Sequence, residues 1–240
     1  MNAKASFTVS CQNCGLNELC LPHTLSVDEM DEVDSIVKRG KPLQRGEYLF
    51  HAGDDFSSLF AVRSGSIKVF SIDDKGEEQV IAFYLPGEIL GMDAIDSARH
   101  ISAAKALETA SVCEIPYRDV EKLSANIQNL QVHMYKLLSR EIRIDQELQM
   151  LLAKKTSEER IGAFLMNLSM RYEQRRLSAT RFRLPMARSD IANYLGLAVE
   201  TVSRVFTRLQ TMGVLKVEGK EIEILDRHSL CDIAHLKTDA

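Results

Sequence analysis

The chain has 240 residues, 45% hydrophobic and 27% charged, which suits one large or two modest packed domains and excludes a disordered chain. Its formal net charge of −4 hides an asymmetry: residues 1–149 hold 15 Lys and Arg against 23 Asp and Glu, a balance of −8, whereas residues 150–240 hold 15 against 11, a balance of +4. A basic C-terminal portion suits local contact with nucleic acid, while the lack of a long apolar run, and of an apolar stretch in residues 1–10, predicts a cytoplasmic protein with no membrane partner.

Three of the five cysteines crowd near the start: Cys11, Cys14 and Cys20, spaced C-x2-C-x5-C. Free core cysteines tend to be scattered, so bunched thiols in a reducing compartment point to ligands of a soft metal or an iron-sulfur cluster rather than to disulfides. Leu16, Leu19 and Leu21 are apolar enough to shield such a group, and Gly15 leaves little side chain beside Cys14.

Residues 43–116 read as β-structure. Runs at Tyr48-Leu49-Phe50, Leu59-Phe60-Ala61-Val62, Ile67-Lys68-Val69-Phe70 and Gln79-Val80-Ile81-Ala82-Phe83 are separated by glycine turns at Gly46, Gly53, Gly65, Gly76, Gly87 and Gly91. Short strands with glycine at this rhythm predict an antiparallel barrel or roll. A further strand, Ser111-Val112-Cys113-Glu114-Ile115, carries the fourth cysteine.

A helix follows over about 129–152, free of Pro and Gly. One apolar stripe runs Leu130, Met134, Leu137, Ile144, Leu148, Leu151, interrupted by Glu141; a second runs Tyr135, Leu138, Ile142, Leu152, interrupted by Asp145 and Gln149. A helix buried on one face needs one stripe. Two stripes predict packing on its own barrel and, through Tyr135, Leu138, Ile142, Asp145, Gln149 and Leu152, on a second copy in a homodimer seam. Asp145 would face its own copy there and keep the dimer marginal.

Thr156-Ser157-Glu158-Glu159 matches a capping box and opens a helix to about residue 173. A short strand at 181–184 precedes a second helix start at Ser189-Asp190. After the break at Gly196 a third helix runs 199–211, with Gly213 as its cap, and residues 214–217 and 222–225 form a hairpin. Together these make a winged helix-turn-helix. The helix over 199–211 presents Glu200, Thr201, Ser203 and Arg204 at its start. Arginine pairs with guanine O6 and N7, glutamate accepts from cytosine N4, and serine bonds either kind of edge. Thr201 and Arg208 are placed for phosphates, and Val202, Val205, Phe206 and Leu209 for packing.

The roll, long helix and winged helix-turn-helix resemble the cyclic-AMP receptor protein superfamily of bacterial regulators. The motifs that carry this are Ser189-Asp190-Ile191-Ala192-Asn193-Tyr194-Leu195-Gly196-Leu197 and Val199-Glu200-Thr201-Val202-Ser203-Arg204. Glu-x-x-Ser-Arg, with Cys11, Cys14, Cys20 and Cys113, is similar to the fumarate-and-nitrate-reduction (FNR) branch. The resemblance spans nearly the whole chain. It implies an α+β fold: a cluster-binding segment (1–28), a cyclic-nucleotide-binding-like β-roll (29–125), a dimerisation helix (126–152) and a winged helix-turn-helix (153–240). It also implies a [4Fe-4S] cluster on the four cysteines, converted by oxygen to [2Fe-2S], which loosens the dimer and releases DNA. The partners it implies are double-stranded DNA of the form TTGAT-N4-ATCAA, read by Glu200, Ser203 and Arg204, and RNA polymerase, contacted through loops of the roll.

Some alternatives stay open. Four thiolates also fit structural zinc, and spacing does not separate the two; a thiol-based redox regulator is a further option. No cyclic nucleotide is expected, because Met92-Asp93 follows Gly91 and Ile101-Ser102 stands where the superfamily's pocket has an Arg-Ser pair for the phosphate. No catalytic motif appears, so no enzyme is expected: Cys11-Gln12-Asn13-Cys14 lies in a short tail rather than opening a helix in a βαβ unit. His23, His51, His100, His133, His228 and His235 lack paired spacing and read as surface residues. Cys231 reads as a buried single.

Overall fold

The computed structural model describes residues 10–236. In chain order the elements are α1 (Val27–Ile36), β1 (Lys38–Arg39), β2 (Tyr48–Phe50), β3 (Ser58–Ser64), β4 (Ile67–Ile72), β5 (Glu78–Tyr84), β6 (Ile89–Leu90), a 3-10 turn (Met92–Ala94), β7 (Ala103–Ala106) and β8 (Ser111–Pro116). Then come α2 (Tyr117–Asn126), α3 (Gln128–Lys154), α4 (Ser157–Gln174), β9 (Arg181–Arg183), α5 (Arg188–Tyr194), α6 (Val199–Thr211), β10 (Leu215–Glu218), β11 (Glu221–Ile224) and α7 (Arg227–Ile233). Contacts divide the chain into two units, residues 1–67 with 83–139, and residues 68–82 with 140–240. No helix among the described residues is long and apolar enough to cross a membrane.

The first unit is built on a sheet of order β1-β8-β3-β6. β8 runs antiparallel to β3, with Cys113 opposite Ala61, and antiparallel to β1, with Cys113 opposite Arg39. A second antiparallel pair joins β2 to β7. The predicted glycine turns hold: Gly46, Gly53, Gly65, Gly76, Gly87 and Gly91 all have positive φ. At Gly65 the reason is double, since φ is +72° and a Cβ would collide with the Thr109 carbonyl and with Ala110. α1 is set by a capping box in which Ser26 and Glu29 bond each other's backbone N–H. Leu21, Val33, Leu59, Ala61, Ile89, Ile115, Val120, Ile127, Leu130, Met134 and Leu137 form one core, so the cysteine-rich segment, α1, the sheet and the start of α3 share a single apolar cluster.

In the second unit, α4 begins as predicted, with Thr156 and Glu159 capping reciprocally. Arg160 donates to the carbonyls of Leu152, Lys155 and Leu195, pinning the end of α3 and the turn after α5 to one guanidinium. α5 starts earlier than predicted. Ala187 is its N-cap and Asp190 sits at the third helical position, where its carboxylate accepts from Ala187 N–H at 3.0 Å. The third helix matches its predicted limits; Met212 rather than Gly213 is its C-cap, and Gly213 follows at φ +71°. β10, β11 and β9 form the wing. Ile161, Phe164, Leu165, Leu168, Val202, Phe206, Leu209 and Ile222 are buried there. The hairpin of β4 and β5 meets α5 through Lys68, whose Nζ bonds Glu78 at 2.8 Å and Asp190 at 2.9 Å. Asn193 adds to this, its Oδ1 accepting from Val80 N–H and its Nδ2 donating to the Glu78 carbonyl.

Candidate functional site

Residues 10–24 wind through successive turns, with Cys14 N–H bonded to the Cys11 carbonyl, Asn17 N–H to Cys14 and Cys20 N–H to Leu16. This winding turns Cys11, Cys14 and Cys20 towards Cys113 of β8. All four are half-buried free thiols, and all four line one cavity of about 40 Å³ with Leu21, Pro22, Val33, Val37, Ala61 and Ile115. Of the three leucines expected as shields, Leu21 lines the cavity and is fully buried. Leu16 and Leu19 instead lie over Gly87, where Leu19 approaches so closely that a Cβ on the glycine would sit 2.9 Å from it. Gly15 has open space beside it.

Two cations share the cavity, Arg39 and Arg63. Arg39 donates to Asp34 of α1 and to Cys11 Sγ at 3.7 Å, and the same Asp34 oxygen accepts from Cys11 N–H at 2.7 Å. Neither the arginines nor Asp34 belongs to a motif. Strand register brings Arg39 opposite Cys113, and register is not a local property of sequence.

Burial pushes the Cys11 thiol well above its ordinary range, and Asp34 adds to the effect. Burial, helped by Cys113 and Cys14 and opposed by the Leu21 backbone N–H, pushes Cys20 up to about 12. Burial also raises Cys113, against Arg39 and Arg63. Four thiols on one cavity are a donor set of the kind that soft metal ions and iron-sulfur clusters take. Among the described residues no group of three or more His, Cys, Asp or Glu side chains is already arranged to hold a metal ion.

The second site is the exposed face of α6. Glu200, Ser203, Arg204 and Arg208 face solvent, while Val202, Val205, Phe206 and Leu209 are buried, as the polarity pattern requires. Arg204 Nη2 donates to Thr201 Oγ1 at 3.1 Å, and Ser203 Oγ donates to the Val199 carbonyl at 3.0 Å. Arg208 is ion-paired with Glu158 of α4, and Arg188 of α5 stacks 3.5 Å over the Phe206 ring. The pair Thr201 and Arg208 thus has work inside the protein besides the phosphate role expected of it.

α3 carries two faces. Leu130, Met134 and Leu137 are buried, whereas further along the inner stripe Ile144 is exposed and Leu148 and Leu151 are half-buried. On the second stripe Tyr135 is 63% and Ile142 59% exposed. Asp145 and Gln149 are exposed too, and Leu138 and Leu152 are half-buried. In the roll, Gly91 opens the 3-10 turn, Ser102 Oγ donates to Asp93 Oδ2 at 2.8 Å, and Ile101 is exposed.

The histidine reading needs correction. His100 and His133 are buried, not surface residues. His100 stacks on Phe50 with ring centroids 3.7 Å apart, and His133 lies on the inner face of α3. Cys231 is the buried single expected, its Sγ bonded to the Leu236 carbonyl.

Residues 41–126 match the cyclic nucleotide-binding domain family, and residues 159–233 match the Crp-like helix-turn-helix domain family. The chain is 51% identical over 240 residues to the transcriptional activator protein FnrA of Stutzerimonas stutzeri, covering 100% of this chain and 98% of the relative. It is 54% identical over 224 residues to the transcriptional activator protein Anr of Pseudomonas aeruginosa, covering 93% and 92%. It is 48% identical over 226 residues to the fumarate and nitrate reduction regulatory protein of Escherichia coli strain K12, covering 94% and 90%. Among solved structures, FixK2 from Bradyrhizobium japonicum aligns at a TM-score of 0.77 with 27% identity, covering 85% of this chain and 100% of that one.

Proposed function

We propose a function that starts from one premise: the chain belongs to the FNR/Anr family of Crp-type transcription regulators, and it is a DNA-binding regulator rather than an enzyme. On that premise it is an oxygen-responsive homodimer that binds a TTGAT-N4-ATCAA palindrome and engages RNA polymerase. Three thiols from residues 11–20 and one from β8 would hold a [4Fe-4S] cluster, which supplies the sensitivity to oxygen. One observation carries this reading: three cysteines close together near the start of the chain and a fourth far from them in sequence line a single cavity.

The chain's own residues perform the rest. Asp34 and Arg39 hold Cys11, and Arg39 and Arg63 offset thiolate charge in the cavity. Leu21, Val33, Val37 and Ile115 keep water from it. The outer face of α3, with Tyr135, Leu138, Ile142 and Leu152, pairs with a second copy, and Asp145 keeps that pairing weak enough to be switched. Glu200, Ser203 and Arg204 read base edges. Cyclic nucleotide is not expected as the effector, because Ile101 stands where the superfamily's pocket has an arginine for the phosphate, and Ser102 beside it donates to Asp93.

The test is purification without oxygen. The protein should be coloured and carry about four iron and four acid-labile sulfide per chain, and it should bind the palindrome until exposed to air. A colourless, zinc-containing protein would end this reading.

A further inference from the structure

α3 carries a polar side chain at a core position. His133 is 5% exposed, on the same face as Leu130, Met134 and Leu137. An apolar residue would fill this place without the cost of burying an imidazole. What the histidine gains is a bond: its Nε2 lies 3.2 Å from the carbonyl oxygen of Cys20. The next residue, Leu21, is fully buried in the core cluster that Leu130, Met134 and Leu137 share. Cys20 is therefore fastened to α3 twice, by a polar link at its carbonyl and an apolar one through its neighbour.

The segment so fastened is under strain. Thr24, at its junction with α1, has φ 76°, a left-handed conformation that a β-branched residue rarely adopts. Cys20 is one of the points that hold this segment, with its thiol at the cavity and its carbonyl at His133. His133 also stands two residues from Tyr135, at the start of the exposed outer stripe.

We propose that His133 is the positioning residue that couples occupancy of the thiol cavity to the self-association face of α3. With its proton on Nε2 it donates to the Cys20 carbonyl, so the order of the cysteine segment and the placement of the first turns of α3 are set together. This rests on the reading of the cavity as the cofactor site and of α3 as the dimer seam. It adds the residue through which one acts on the other.

The test compares the dimer dissociation constants of cofactor-loaded and cofactor-free protein, by anaerobic sedimentation, in wild type, His133→Leu and His133→Gln. Leucine packs but cannot bond; glutamine keeps an N–H that reaches the carbonyl. In wild type, loading should tighten the dimer by about tenfold or more. His133→Leu should bring that ratio close to one with iron per chain unchanged, and His133→Gln should restore it. A ratio unchanged in His133→Leu, or equal weakening of both its states, would overturn the proposal by showing a packing role alone. Should His133→Leu fail to load iron, His133→Gln decides: a retained ratio supports the coupling and a lost one overturns it. Wild type that lacks iron, or dimerises equally with and without it, overturns the underlying reading and this inference with it.

Discussion

Replacing Arg204 with alanine should abolish discrimination at one base pair of each half-site. The side chain is exposed on α6, and its bond to Thr201 Oγ1 leaves the other guanidinium N–H groups free to meet guanine O6 and N7. One bidentate contact is worth about 1–3 kcal/mol, and a two-fold operator has two, so the loss is about 2–6 kcal/mol. The lower bound is about 30-fold in affinity. Arg208 offers no comparable contact: at 63% exposed, and tied to Glu158, it must exchange one ion pair for another, a small net gain in water. Fluorescence anisotropy with labelled TTGAT-N4-ATCAA duplexes, at several salt concentrations, measures both effects. For Arg204→Ala the palindrome should lose affinity, and changing the G·C pair of each TTGAT half-site to A·T should then cost nothing more. The slope of log affinity against log salt should scarcely move. Equal weakening on every duplex, with the slope falling by about 2, would refute the base-reading role and make Arg204 a phosphate contact.

Cys113→Ala should leave the fold intact, because Cys113 lies within β8 between β1 and β3 and the change removes only a half-buried sulfur. Anaerobic iron content should fall and DNA binding should no longer differ with and without air; a normal response to air would remove Cys113 from the ligand set. Asp145→Ala should raise the dimer fraction under air: burial pushes this carboxyl above its ordinary value, and like charges about 4 Å apart repel by about 1 kcal/mol even in water, which is about fivefold in the dissociation constant. Size-exclusion profiles that match wild type would refute that account of the seam. Lys68→Met should destabilise the hairpin against α5 by about 2 kcal/mol, less than a fully buried pair, because Glu78 remains 39% exposed. Burial draws the Lys68 ammonium down, but Asp190 and Glu78 more than reverse this and leave it above its ordinary value. Its contribution is therefore complete below about pH 10.4, the unfolded value, and fades as pH rises through the higher folded value. The melting-temperature gap between wild type and variant should hold from pH 7 to 10 and narrow above; a gap that stays constant well above pH 10 would contradict the ion pair.

Some of this architecture is legible in the chain and some is not, and the division follows the range of the forces involved. The turns of the roll are legible because each needs a residue at positive φ, a demand that glycine answers locally. α6 is legible because its polarity and its burial share one period, so Val202, Val205, Phe206 and Leu209 announce the side that packs. β1 and β6, at two residues each, have no period to show. α1 has a complete capping box, yet among its ten residues Val33 alone is buried, too little to make a stripe. In the cavity, sequence spacing yields the thiols. Arg39, Arg63 and Asp34 arrive there through strand register and the docking of α1, which link residues with no sequence relation.

His133 shows the same limit at one side chain. Its position was legible, since the third residue after Leu130 belongs to the inner face of α3. A polar letter on that face reads as an interruption until the partner that justifies it is known. That partner is the backbone carbonyl of Cys20, a group every residue carries and no sequence pattern distinguishes. A buried polar side chain on an apolar helical stripe is thus a prompt to look for a backbone group brought in from elsewhere, and here that group belongs to one of the four cysteines.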